Sequence, residues 1–127
     1  YKGGTVLMKL YDSEIKVMNV LWERGSLKAS EIVKIMQNLT DWNKNTTYTV
    51  IKKCVDKGAI ERREPGFLCV PIIDKIDVQK KETQELIGKM FSGSRTKFLS
   101  CFLSQDDVSD SELDEMENLI KRYKEEK

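Results

Sequence analysis

This 127-residue sequence predicts a mainly α-helical fold with a small β-hairpin, followed by a separate helical segment. Three observations carry that expectation. Apolar residues recur at helical spacing in three successive stretches before Gly58. A pair of short strands around Pro65-Gly66 follows at once. Behind Pro71 the helical period resumes, with two breaks, to the end of the chain.

Residues 1–7 show no periodicity and are expected to be an expression leader, with the native start at Met8. Asp12 or Ser13 is expected to cap a first helix that runs to Arg24, with Ile15, Met18 and Leu21 or Trp22 on its buried face and Gly25 as its stop. A second helix spans 28–39, with the stripe Ile32, Ile35, Met36 and Leu39. Asn43 caps a third over 44–57, which Gly58 ends. The strands "AIERRE" and "FLCVP" flank Pro65-Gly66, a pair suited to the second and third positions of a type II turn. Asp74 opens a helix to Phe91, with Ile76, Leu86, Ile87, Met90 and Phe91 as candidate contacts. A short helix "TKFLSCFLS" follows, and Ser109 with Glu112 forms a capping box for the last helix.

Three helices and then a two-stranded hairpin is the element order of a winged helix-turn-helix. The expected organisation is therefore a winged-helix domain over 8–73 and a helical dimerisation domain over 74–127.

Composition narrows the function. Hydrophobic residues make up 39% and charged residues 34%, which suits a soluble, helix-rich chain without disorder. No apolar run approaches the roughly 18 residues that span a bilayer. No signal-peptide pattern opens the chain, so a cytoplasmic location without membrane insertion is expected. There is no histidine, which excludes Ser-His-Asp and Cys-His catalysis and His-ligated metal. Cys54, Cys69 and Cys101 form no C-x-x-C pair and are expected to be buried or half-buried structural thiols. No Gly-rich phosphate loop is present. The expectation is no enzyme, no metal and no cofactor.

The net charge of +1 hides an asymmetry. Residues 1–73 carry twelve Lys/Arg and eight Asp/Glu, a net of +4; residues 74–127 carry ten and thirteen, a net of −3. An anionic partner would meet the front half. On the third helix Thr47, Val50, Ile51 and Cys54 share one side, while Asn45, Tyr48, Thr49 and Lys52 share the other, with Lys53 beside them. A helix fits the major groove of duplex DNA, where base edges ask for hydrogen-bonding groups and thymine for a methyl contact. Asn45, Thr46, Tyr48 and Thr49 are the candidate readers, and Asn43 and Lys44 at the start of the helix are further candidates for DNA contact. Lys52, Lys53, Arg62 and Arg63 are candidates for phosphates, which position a protein without reading sequence. A solvated charged face is the plainer account of any one of these residues; their combination on one helix and its hairpin favours DNA.

The back half is short but strongly apolar in stripes. Phe98, Leu99, Phe102 and Leu103, then Leu113, Met116, Leu119, Ile120 and Tyr123, outnumber what the segment can bury alone. They are expected to form the interface of a homodimer, which would offer two recognition helices to the half-sites of a dyad operator.

The stretches "EIKVMNVLWERG", "DWNKNTTYTVIKKCVDKGAIERREPGFLCVPI" and "FLSCFLSQDDVSDSELDEMENLI" together resemble the bacterial penicillinase and methicillin-resistance repressors. Trp22, Trp42, Thr46, Thr49, Lys57 and Gly58 fall where that family's pattern places them, and the resemblance covers residues 9–123. It implies a dimeric repressor of β-lactam resistance or related genes, released by proteolysis that a membrane sensor of β-lactams sets off. The family is cut between an asparagine and a phenylalanine; the matching pair here is Cys101-Phe102, with a thiol in place of the amide. Family members often carry Lys or Arg where this chain has Asn45 and Tyr48, which implies a different operator. A copper-responsive branch clusters cysteines near its C-terminus, whereas residues 104–127 hold none. Two other readings stay open: a winged-helix module for a protein partner, and a repressor of the same fold with another trigger, such as oxidation of Cys101.

Overall fold

The structure, a computed structural model, describes residues 8–127. The expected leader, residues 1–7, lies outside them. The elements in order are α1 (Asp12–Arg24), β1 (Leu27–Lys28), α2 (Ala29–Leu39), α3 (Lys44–Asp56), β2 (Ile60–Arg63), β3 (Leu68–Pro71), α4 (Lys75–Phe91), α5 (Arg95–Leu103) and α6 (Asp110–Glu125). The chain forms two compact units, one ending at Glu82 and one spanning Thr83–Lys127, so the dividing line falls within α4. No helix among the described residues is long and apolar enough to cross a membrane.

The first unit is a winged helix. α1, α2 and α3 converge on Val17, Met18, Leu21, Ile32, Met36, Ile51 and Cys54, and the sheet closes that core with Ile60 and Cys69. Removing such side chains from water is the main force that holds the unit together. Trp22 packs against the core and its indole Nε1–H donates to the Ile73 carbonyl at 3.0 Å, which ties α1 to the chain leaving the wing. Trp42 packs against the same core. Burial pushes the Cys54 thiol to about 12, with the Glu14 charge adding to it, and burial pushes the Cys69 thiol to about 11. Both are structural thiols that stay protonated.

Several expectations are corrected. The sheet has three strands, not two: β1 pairs antiparallel with β3, in the order β1-β3-β2. The first helix is capped from Tyr11 rather than Asp12 or Ser13, because the Glu14 carboxylate accepts from the Tyr11 N–H at 2.8 Å and fixes the start one residue earlier. Leu39, Ile76, Leu86 and Met90 are exposed, although their spacing suits a buried stripe. Cys101 is exposed in this chain rather than buried. At the hairpin tip Gly66 takes φ 88°, the left-handed value that favours glycine at this position, and Phe67 follows at φ 54°.

A buried ion pair locks the end of α3 to the start of α1. The Lys57 ammonium lies 2.6 Å from Glu14 Oε1, donates to the Lys9 carbonyl at 2.7 Å, and sits 4.5 Å from the Tyr11 ring centre. Burial alone would raise the Glu14 carboxyl; the bonds from Lys57 and the Tyr11 amide outweigh it and hold the group below its ordinary value.

The second unit is built differently. α6 begins as its sequence suggests: Ser109 Oγ accepts from the Glu112 N–H and the Glu112 carboxylate from the Ser109 N–H, both at 3.1 Å. Phe91 meets Phe98 edge to face at 5.6 Å. Yet neither α5 nor α6 contains a buried residue.

Candidate nucleic-acid interface

The interface is built on α3. Asn43 Oδ1 accepts from the Thr46 N–H at 2.8 Å, satisfying one of the free donors at the helix start. Thr47, Val50, Ile51 and Cys54 are buried against α1 and α2, so the helix cannot rotate. That anchorage turns the opposite side outward: Lys44, Asn45, Thr46, Thr49, Lys52 and Lys53 are exposed and Tyr48 is half-buried. The sequence-predicted readers therefore do come together on one face.

Their chemistry is not uniform. The Thr49 hydroxyl donates to the Asn45 carbonyl at 2.9 Å, which leaves its methyl and acceptor lone pairs for a partner. Asn43 spends its oxygen on the cap and keeps its amide hydrogens. Lys44, Lys52 and Lys53 form no ion pair among the described residues. Their three charges are thus available to phosphates, and Lys44 adds to the positive end of the helix dipole.

The wing departs from expectation. Arg62 and Arg63 lie on a strand, where neighbours face opposite sides. Arg62 shares its side with buried Ile60 and therefore faces the helices; Arg63 shares the outer side with Glu61. The Arg62 guanidinium carbon lies 3.7 Å above the centre of the Phe67 ring. Phe67 in turn meets Tyr48 of α3, with ring centres 6.0 Å apart, and Lys44 Nζ lies 6.0 Å from the Tyr48 ring. A continuous line of cation, ring, ring and cation runs from the start of α3 to the wing. Each wing arginine also has a carboxylate: Arg62 pairs with Glu64 and Arg63 with Glu61. The bond from Arg62 holds the Glu64 carboxyl below the usual carboxylate range, with the Phe67 amide helping.

Sequence reasoning missed Phe67, Glu61 and Glu64 as parts of this surface. The signal was present. In "ERRE" each arginine has a glutamate two residues away, and on a strand that spacing puts both on one face.

Among the described residues no cluster of Cys, Asp and Glu is arranged to hold a metal ion.

The family model described as penicillinase repressor matches residues 10–122 of this chain. The chain is 25% identical over 118 residues to a penicillinase repressor of Bacillus licheniformis, covering 91% of this chain and 92% of that protein. It is 25% identical over 116 residues to the methicillin resistance regulatory protein MecI of Staphylococcus aureus (strain N315), covering 90% and 94%. The fold matches the solution structure of the DNA-binding domain of the repressor BlaI with a TM-score of 0.53 at 28% identity, over 57% of this chain and 92% of that one. It also matches monomeric Bacillus licheniformis BlaI in complex with the blaP half-operator, with a TM-score of 0.51 at 28% identity, over 57% and 90%.

Proposed function

We propose that this chain, which belongs to the penicillinase repressor family, is a transcriptional repressor that binds dyad operators as a homodimer. The observation that carries this reading is the exposed face of α3: three lysines that form no ion pair among the described residues and a set of short polar side chains, opposite a buried face. Asn45, Thr46, Tyr48 and Thr49 read base edges in the major groove. Lys44, Lys52, Lys53 and Arg62 hold the phosphates on either side. The genes it controls are those of β-lactam resistance or related functions.

The dimer is carried by the second unit. Leu99, Phe102 and Leu103 of α5 and Leu113, Leu119, Ile120 and Tyr123 of α6 are exposed large apolar residues, and Phe98 and Met116 are half-buried between them. A second copy covers these stripes. Joining two α3 helices in this way makes engagement of the second half-site intramolecular, so the linked pair binds far more tightly than either half.

Release follows from cutting near Cys101-Phe102 by a sensor-linked protease. That bond lies in the last turn of α5, where the Cys101 carbonyl accepts from the Ser104 hydroxyl at 2.7 Å. The end of a nine-residue helix opens at little cost, as a protease cleft requires. The cut separates Phe102, Leu103 and the whole of α6 from the DNA-binding unit, and with them most of the apolar stripes that hold the dimer.

Fluorescence anisotropy tests the reading, with the labelled promoter fragment upstream of the gene against a scrambled duplex at two salt concentrations. Salt-dependent binding that prefers the promoter by about a hundredfold is expected. Equal, weak binding to both duplexes would overturn it and point to a protein partner.

A further inference from the structure

We propose that Glu64 is a built-in competitor for the DNA backbone: its carboxylate occupies the Arg62 guanidinium in the free protein and a phosphate displaces it on binding. This rests on the reading that the wing faces DNA, and goes beyond it by assigning a role to an acidic residue and to the ring beneath the arginine.

The geometry gives each residue a part. Phe67 is the seat: the guanidinium carbon lies 3.7 Å above its ring, a cation–ring contact that holds the group in place and leaves N–H groups to bond. Tyr48 backs that ring, so the seat is referenced to α3 and the arginine keeps its place relative to the reading face. Glu64 takes the Nε–H of the guanidinium with one carboxylate oxygen, and its other oxygen accepts from the Phe67 N–H at 3.2 Å. One carboxylate thus closes the turn and engages the arginine at Nε.

A guanidinium N–H that bonds a carboxylate oxygen bonds a phosphate oxygen equally well, so a phosphate can take the place of Glu64 at Nε while Arg62 stays on its ring. The pair is open to water on both sides, with side chains 50% and 58% exposed, so it is weakly held and readily exchanged. After exchange the displaced carboxylate stands beside the phosphates and repels them. Both effects lower affinity for any duplex, and neither depends on base sequence. The wing is therefore a restrained contact that limits binding to non-operator DNA, whereas the lysines of α3 carry no such restraint.

The test uses the full chain and a labelled mixed-sequence duplex, with anisotropy read across a salt series. Glu64→Gln removes the charge and keeps a carbonyl oxygen for the Phe67 N–H, so the turn is retained. It should tighten binding by about two- to fivefold at low salt, and steepen the salt dependence by up to about one counterion. In the Arg62→Ala background the same substitution should lose at least half of that gain. A gain of equal size in both backgrounds would mean that Glu64 acts only as a distant negative charge, and would overturn the proposal. So would an unchanged affinity for Glu64→Gln while Arg62→Ala binds more weakly, an outcome that leaves the wing on DNA. If Arg62→Ala itself has no effect, the wing does not touch the backbone and both readings fall.

Discussion

α2 and α6 are both amphipathic, yet they end differently. α2 buries Ala29, Ile32, Val33 and Met36 within its own unit. α6 repeats Leu113, Met116, Ile120 and Tyr123 at the same helical spacing and buries none of them. The pattern is equivalent and the neighbourhood is not. α2 has α1, α3 and a sheet around it, whereas α5 and α6 belong to a unit of 45 residues, Thr83–Lys127. A segment of that size seldom builds a sufficient core alone. The lesson is that helical periodicity announces a face to be covered and does not say by whom.

Four substitutions probe that contrast. Phe102→Asp places a charge in the uncovered stripe of α5. It should leave a folded monomer by analytical ultracentrifugation and lower operator affinity by about two to four orders of magnitude. A variant that stays dimeric would show that the interface lies elsewhere. Ile32→Ala, at a fully buried site of the first unit, should cost about 3 kcal/mol in chemical denaturation, at any protein concentration. A loss that shrinks on raising the concentration would mean that the two units do not differ in the way described.

Lys57→Met breaks the buried pair and should cost about 2 kcal/mol, less than for a fully enclosed pair because Lys57 partly meets water. The sign of its pH dependence is fixed. Glu14 has a folded value below the ordinary 4.5, so its contribution is present above about pH 4.5 and is lost as the pH falls through the folded value. In Lys57→Met the burial penalty, the Tyr11 bond and the more distant Lys53 charge remain. The two proteins should therefore converge in stability as the solution is acidified, and a gap that widens would refute the pairing. Lys52→Ala is the mildest change. It should weaken binding a few-fold to every duplex, reduce the salt slope by about one, and leave the dimer intact. No change in affinity would remove Lys52 from the interface.

Much of the first unit was legible in the sequence. Thr47, Val50, Ile51 and Cys54 could be assigned to one side of α3 because a helix pinned on one face leaves a period of 3.6. The cap at Asn43 and the stop at Gly58 are local, and local signals need no partner. β1 was not legible: two residues show no alternation, and their pairing with β3 joins positions some forty residues apart. Leu39 and Ile76 mislead because spacing names a stripe but not the edge at which it meets water. Cys101 misleads for a related reason, since a thiol on an apolar helix is buried only when that helix is covered. The candidate interface was legible on α3 and less so on the wing. Lysines on a pinned helix have few local partners, whereas Arg62 and Arg63 count as two cations in the sequence and each stands beside a carboxylate in the structure.

The bond from Trp22 to Ile73 has a practical consequence. The sequence holds two tryptophans, Trp22 and Trp42, and both pack against the core of the first unit. Their emission is an intrinsic label for that unit alone, and a red shift marks the moment its indoles meet water. The helical ellipticity near 222 nm, by contrast, sums over every helix in the chain. Recorded on one sample, the two signals would resolve a chain that loosens from its C-terminal end from one that melts all at once, with no dye attached.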